Sequence, residues 1–467
     1  MQTRDQAFLG TEPVGRLLMR LAIPTVIAQL VNMLYNIVDR IYIGHIAGIG
    51  SLALTGVGVC MPIIMIVTAF AALVASGSAP RASIAMGRGD RDTAEKLLGG
   101  SFSLQIAISL TLTAVLLLFG HEFLLAFGAS ENTIEYADNY LNIYAFGTLF
   151  VELTLGMNAF ITAQGFATTG MMTVLIGAVC NIVLDPILIF GLNMGVRGAA
   201  LATVISQGVS CVWVVSFLMG KKTSLRLKAQ NMRIDMKLLA PCIALGLSAF
   251  IMQSTESLLS IVLNTSLLKY GGDIAVGAYT VLASILQIVN LPLQGLTQGA
   301  QPITSFNYGA KNYVRVRKSV KLLLCCTMAY CVLFWLLLML APQLLVSVFT
   351  SDPELIGTAV WATRIFLFGC FAFGAQCGLQ QSFLALGQAK VSLLLALLRK
   401  IVLLIPLIYI LPLFCTNKLF GVFVAEPIAD ILAATVTTIA FLVWAKKNLS
   451  DEALQRRLEA EAALKST

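Results

Sequence analysis

Long apolar runs alternate along the chain with short breaks rich in charge, glycine or proline. A run of about 20 apolar residues is long enough for a helix to cross the ~30 Å hydrocarbon core of a bilayer. Twelve such runs cover residues 17–43, 52–76, 97–120, 136–160, 170–191, 196–219, 236–266, 275–300, 319–341, 357–385, 391–413 and 420–445. They predict an all-α polytopic membrane protein with twelve transmembrane helices.

Composition agrees, with 58% hydrophobic and 12% charged residues among 467, against roughly 45–50% and 25% in soluble proteins. A disordered chain, a nucleic-acid-binding domain and an ordinary soluble enzyme are excluded on that ground. The ten cysteines follow no Cys/His metal pattern and read as buried thiols. The net charge of +8 changes the picture only through its distribution. With the N-terminus inside, 24 of the 31 basic residues fall on inside segments, and the positive-inside rule predicts that both termini are cytoplasmic. Arg399 and Lys400, within a span, are expected to snorkel to the cytoplasmic side. The basic excess is therefore a topology signal for a multi-pass protein of the cytoplasmic (inner) membrane, and no nucleic-acid partner is expected. The first 16 residues are polar and the first apolar run is too long for a signal peptide.

The chain also repeats itself. Gly77, Pro80 and Gly87 recur as Gly299, Pro302 and Gly309, an offset of 222, and Ala53/Ala275, Gly165/Gly387, Pro186/Pro406 and Gly198/Gly421 hold nearly the same offset. Such a ladder indicates duplication into two homologous six-helix bundles. Six spans are an even number, so both copies insert with the same orientation, a parallel repeat. The expected organisation is a cytoplasmic N-terminal segment at 1–15, an N-lobe at 16–220, a basic linker at 221–237, a C-lobe at 238–445 and a cytoplasmic tail at 446–467 with the mixed charge of a solvated or interfacial helix.

Polar residues inside the spans are the candidates for chemistry, because a buried charge in lipid is costly. Asn32, Tyr35, Asn36 and Asp39 form one stripe on the first span at i, i+3, i+4 and i+7. Asp39 lies near its outer end beside Arg40, so an interfacial anchor is an alternative role. In the fifth span Asn181 and Asp185 share a face and Pro186 frees a backbone carbonyl. These hard oxygen ligands suit a proton or a small cation such as Na⁺; a neutral Asp capping its own kink is the competing reading. Thr203 and Asn158 extend such a cluster, or serve as helix–helix glue. In the second copy Gln253, Glu256, Ser260 and Asn264 form a stripe that aligns Glu256 with Asp39, whereas Asp185 aligns with Ile405. Glu426 and Asp430 are explained equally by helix-end structure, and Glu152 stands alone on the fourth span. No catalytic or nucleotide-binding motif occurs in a suitable context, and a membrane-embedded enzyme would need a nucleophile or metal cluster that is not present.

The segments Leu34–Gly44, Asn181–Gly191, Gly195–Thr203, Gly299–Pro302 and Asn307–Ala310, with the twelve-span duplication, resemble the MATE (multidrug and toxic compound extrusion) transporters over essentially residues 10–445. The resemblance implies a V-shaped pair of bundles that exchanges drugs, often organic cations, for H⁺ or Na⁺ by alternating access, without a cofactor and as a monomer in the lipid bilayer. It also implies an N-lobe ion site at Asp39, Asn181, Asp185 and Thr203, with Asn158 near it. Asn32, Tyr35, Asn36, Gln253, Glu256 and Ser260 are expected on the substrate cavity, with Pro24 and Pro186 as hinges. Some members carry a C-lobe ion site made by a helix-seven Glu, matched by Glu256, and a helix-ten Asp. Here that second position falls at about Ala375, beside Gln376, which favours N-lobe coupling. A flippase for lipid-linked saccharides, from the same superfamily, is the alternative and would require a more cationic cavity.

Overall fold

The computed structural model describes residues 7–349 and 352–450. A short helix α1 (Ala7–Thr11) precedes six long ones: α2 (Val14–Gly44), α3 (Gly50–Gly87), α4 (Arg91–Ala126), α5 (Ile134–Ala163), α6 (Ala167–Pro186) and α7 (Val196–Met219). The second half runs α8 (Met236–Gly272), α9 (Ile274–Gly309), α10 (Tyr313–Leu340), α11 (Pro342–Val346), α12 (Pro353–Phe366), α13 (Cys370–Ala385), α14 (Ala389–Leu397), α15 (Ile405–Phe414) and α16 (Lys418–Asn448). Helices α8 and α9 are divided by a kink at Gly272, whose φ of 65° is left-handed. Among the described residues eleven helices are long and apolar enough to cross a membrane, and α12 with α13, bent by 51°, makes a twelfth span. All twelve predicted spans are therefore helical, in two six-helix bundles. Large apolar side chains such as Leu118, Phe146, Leu333 and Leu442 point outward, as lipid requires. Residues 451–467, and with them most of the expected tail helix, lie outside the described residues.

Expected boundaries fell short where helices run on past the apolar run. The repeated segments 77–87 and 299–309, read as connections, are the last turns of α3 and α9. Their glycines explain why they are repeated. A Cβ on Gly87 would lie 2.0 Å from the Phe306 carbonyl oxygen, and one on Gly309 2.0 Å from that of Ile84, so the two helices cross backbone to backbone between the lobes. Gly77 meets Cys242 of α8 in the same way, and Gly299 meets Ala22 of α2. Without a hydrophobic drive in lipid, such close approach of small residues is what holds helices together. The duplication extends into the next turn. Asp90 and Asn312, also 222 apart, cap α4 and α10 through Thr93 N–H at 3.0 Å and Arg315 N–H at 3.3 Å. The Thr93 hydroxyl and amide hold the Asp90 carboxyl below its ordinary pKa. Each cap follows a residue with positive φ, Gly89 at 80° and Lys311 at 59°.

Two connections are tied down more firmly than a solvated linker would be. In the N-terminal segment, Leu9 is fully buried; its carbonyl accepts from Asn307 at 2.9 Å and Arg315 at 3.1 Å, and Arg315 also donates to the Glu12 carbonyl at 2.7 Å. Phe8 packs on Gly165 of the first bundle, so α1 straps the two lobes together. In the linker, Gln164 Oε1 accepts from Thr223 Oγ1 and from the amides of Ser224 and Leu225. Lys228 Nζ lies 2.5 Å from Glu95 of α4.

Candidate functional site

Pro186 ends the regular hydrogen-bonding of α6, and the chain continues as a π-helical turn, Ile187–Gly191. π-turns recur at functional sites because they release backbone groups and re-aim side chains. One turn earlier, Asn181 Nδ2 sits 3.4 Å from both Asp185 Oδ1 and Thr203 Oγ1 of α7. Asp39 of α2 reaches the same place, its carboxyl in hydrogen-bond contact with that of Asp185. The Tyr140 phenol of α5 contacts Thr203, and the Tyr35 phenol lies near both aspartates. Asp39, Asn181 and Asp185 are all buried. Asp39 Oδ1, Asn181 Oδ1 and Asp185 Oδ2 are also without a hydrogen-bond partner. Three helices, α2, α6 and α7, thus bring two acids, an amide and a hydroxyl together, with three unpartnered oxygens and no basic side chain bonded to them among the described residues. Such a set fits a proton or a small hard cation. Asp39, buried and aimed at Asp185, is part of this set and is not an interfacial anchor.

Asn158 is not. Its amide donates to the Gly170 carbonyl at 3.3 Å, and Gly170 precedes Asn181 by eleven residues of α6, about 16 Å at 1.5 Å per residue. The stripe on α2 also divides. Tyr35 and Asp39 turn to the cluster, while Asn36, half-buried like Asn32, spends its amide on the Asn32 carbonyl at 2.7 Å. Pro24 lies within an unbroken α2, where the neighbouring Thr25 hydroxyl comes 2.5 Å from the Gly295 carbonyl of the other lobe.

The C-lobe holds a different arrangement. A π-helical stretch, Leu398–Leu404, again accompanies the repeated proline, Pro406. It carries Arg399 and Lys400, and neither snorkels. Both point inward, because buried acids on α16 and the more exposed Glu256 on α8 give them partners that lipid cannot. Arg399 donates to Asp430 at 2.7 Å and Glu426 at 3.2 Å, both on α16, and stacks over the Phe373 ring with its guanidinium carbon 4.8 Å from the centroid. Lys400, with only 3% of its side chain exposed, pairs with Glu256 of α8. Glu426 and Asp430 are thus members of a buried ion-pair network, a role the sequence reading had not assigned them. The group lines an open pocket together with Tyr279, Phe366 and Phe373. Of the remaining stripe residues, Gln253 and Ser260 are exposed, and Ser260 contacts the Tyr279 phenol. The signal that would have found this network was in plain view: two adjacent cations in mid-span, and two acids at i, i+4 on the last helix.

Comparison with known proteins agrees with this architecture. Multidrug export protein MepA of Staphylococcus haemolyticus (strain JCSC1435) is 24% identical over 455 residues, 96% of this chain and 97% of that protein. Its namesake from Staphylococcus aureus (strain MSSA476) is 25% identical over 423 residues, 90% and 91% of the two chains. Among solved structures, a MATE in the bent conformation superposes with a TM-score of 0.89 at 24% identity, over 97% of this chain and 99% of that one. A MOP superfamily transporter from Pyrococcus furiosus Vc1 gives 0.88 at 23% identity, over 95% and 98%. The family model MatE matches the chain twice, over residues 24–187 and 248–410, and so takes in both copies of the repeat. The chain belongs to the MatE family.

Proposed function

We propose that this protein is a multidrug efflux antiporter that expels organic cations from the cytoplasm in exchange for protons bound at the Asp39–Asp185 pair. The observation that carries the proton reading is two buried acids set close to each other with no cation bonded to either among the described residues. Two ionised carboxylates this close in a core repel each other, which favours the binding of a proton to one of them. Na⁺ would also suit these oxygens, and separate ion gradients distinguish the two. Supporting the drug reading, the two curated relatives above are named multidrug export proteins. A lipid-linked saccharide would call for free cations in the cavity, whereas Arg399 and Lys400 are both paired.

In this reading a proton entering from outside binds the pair, relaxes the cluster's charge and repacks α2 against α6 and α7. That shifts the lobes towards release of drug outward, as a ligand with differential affinity for two states must. A proton crossing ~100 mV releases about 2.3 kcal/mol, enough for tens-fold accumulation. Both termini face the cytoplasm in this scheme. The test is ethidium efflux from reconstituted vesicles under an imposed pH gradient and, separately, a Na⁺ gradient. Wild-type protein is expected to respond to the pH gradient alone and Asp185→Asn to neither; gradient-driven efflux by Asp185→Asn, or drive by Na⁺ alone, overturns the proposal.

A further inference from the structure

Glu152 lies on α5, on the linker side of the aspartate pair. It is fully buried, and neither carboxyl oxygen has a hydrogen-bond partner. The α3 backbone at Ala71 passes close by without a properly directed bond. No basic side chain and no second carboxyl is paired with it among the described residues: α3 presents the Ala71 backbone, α4 presents Gln105, and α5 itself presents Tyr144. An acid left this way in a core costs several kilocalories if ionised and has to be neutralised or served.

Gln105 is the side chain placed to serve it. It too is fully buried, and both its amide oxygen and its amide nitrogen are without partners. It fills the notch at Gly156, one helical turn beyond Glu152 on the same face of α5. A Cβ on Gly156 would fall 1.7 Å from Gln105 Nε2 and 2.1 Å from Oε1, so only glycine admits the amide. A primary amide carries donors on one edge and an acceptor on the other. The two side chains are not bonded to each other in this structure; brought together, Nε2 would donate to the ionised Glu152 and, after a half-turn, Oε1 would accept from the protonated acid. One residue therefore serves both charge states.

The pair lies on a polar file. The Tyr144 phenol is near both Tyr35, itself beside Asp39 and Asp185, and Glu152. Beyond Gln105, Ser101 of α4 is buried with an unpartnered hydroxyl, and Gly99 packs on the Asn231 carbonyl of the linker. The file thus runs from the aspartate pair to the linker end of the lobe.

We propose that Glu152, served by Gln105, is a second proton-binding site, which receives the coupling proton from the Asp39–Asp185 pair and releases it at the linker side. The inference rests on the proton-coupled reading above. In the transfer, an aspartate O–H breaks and its proton bonds to the Tyr35 oxygen, the Tyr35 O–H proton passes to the Tyr144 oxygen, and the Tyr144 O–H proton moves to Glu152. The aspartate pair gains one negative charge and Glu152 loses one. Gln105 is a positioning residue: it holds either form of Glu152 and passes no proton itself.

The test counts protons released when ethidium binds purified protein in lightly buffered detergent solution, followed with a pH dye, alongside pH-gradient-driven efflux in vesicles. Glu152→Gln is expected to bind ethidium within about threefold of wild type, to release about one proton fewer per drug, and to lose at least tenfold in gradient-driven efflux while drug–drug counterflow persists. Gln105→Leu, which keeps the acid, should release the normal number of protons but show slowed driven efflux; it is also the fallback variant should Glu152→Gln not fold. Wild-type proton release and efflux in Glu152→Gln, or unaltered efflux in Gln105→Leu, overturns this inference. Asp185→Asn with wild-type proton release overturns the reading beneath it instead.

Discussion

Each lobe gathers its buried charges around the same repeated helix, yet the two balance them oppositely. In the N-lobe two carboxyls face one another with three unspent oxygens and no cation bonded to them among the described residues. In the C-lobe three carboxylates meet an arginine and a lysine. A cluster with unspent acceptors can take up and give off an ion. One in which each acid meets a cation holds helices in place, although three acids against two cations leave it one negative charge over and Glu426 Oε2 unspent. Duplicated architecture with unequal charge closure is what the proposed coupling in the N-lobe rests on.

The largest effect expected from that contrast is on stability. Arg399→Ala leaves Glu426 and Asp430 buried without their cation, a loss of about 3–5 kcal/mol for broken buried pairs, so the variant should purify in low yield and aggregate at markedly lower temperature. Asp185→Asn should melt at or above the wild-type temperature, since it removes a buried acid with an unspent oxygen. Equal destabilisation by the two variants, read by size-exclusion after heating, would break the comparison.

A smaller effect separates the partners of one C-lobe pair. Lys400 is almost wholly buried, whereas 57% of the Glu256 side chain is exposed. Glu256→Gln strands a cation in the interior and should lower the melting temperature by several degrees. Lys400→Met strands an anion that water can reach and should cost less. The double variant should recover most of the loss, because an apolar replacement of a buried pair is often neutral. Equal losses for the two single changes, or no recovery in the double, would show that Glu256 is held by something other than Lys400.

These contrasts also mark how far the residues could be read without coordinates. Twelve spans, the duplication and the gathering of Asp39, Asn181, Asp185 and Thr203 were legible because each rests on local spacing: apolar length, a 222-residue offset, a shared helical face, or the matched motifs. Arg399, Lys400, Glu426 and Asp430 were misjudged because pairing across helices is not local. In mid-span a cation has two ways to avoid lipid, reaching out to the interface or finding an acid inside, and only the packing of α16 against the π-helical stretch selects the second. The segments 77–87 and 299–309 fall largely beyond the predicted ends of the second and eighth spans for the same reason: proline and glycine mark a break in isolation, but here the glycines are crossing points and the helices pass through them.

Next in size is the strap at α1. Arg315 donates to two carbonyls, those of Leu9 and Glu12, and to Asn307. Arg315→Ala should free α1 from the second lobe at about 1.5–3 kcal/mol for a hydrogen bond to a charged group, and hydrogen exchange should rise over residues 7–14. Since the strap joins the lobes only at one end of the molecule, its loss should favour states open at that end. Unchanged exchange there would mean that Phe8 and Leu9 hold the strap by packing alone.

The smallest effect belongs to Asn158, and it tests where the N-lobe cluster stops. Its one bond runs to the Gly170 carbonyl, three turns along α6 from Asn181. Asn158→Ala should cost no more than about 0.5–1.5 kcal/mol for a lost neutral hydrogen bond and should leave the ratio of gradient-driven efflux to counterflow within about twofold of wild type. An uncoupled Asn158→Ala would mean that the ion's route continues down α6. The unspent Asn158 Oδ1 would then stand in that route, in place of the course along α5 through Glu152.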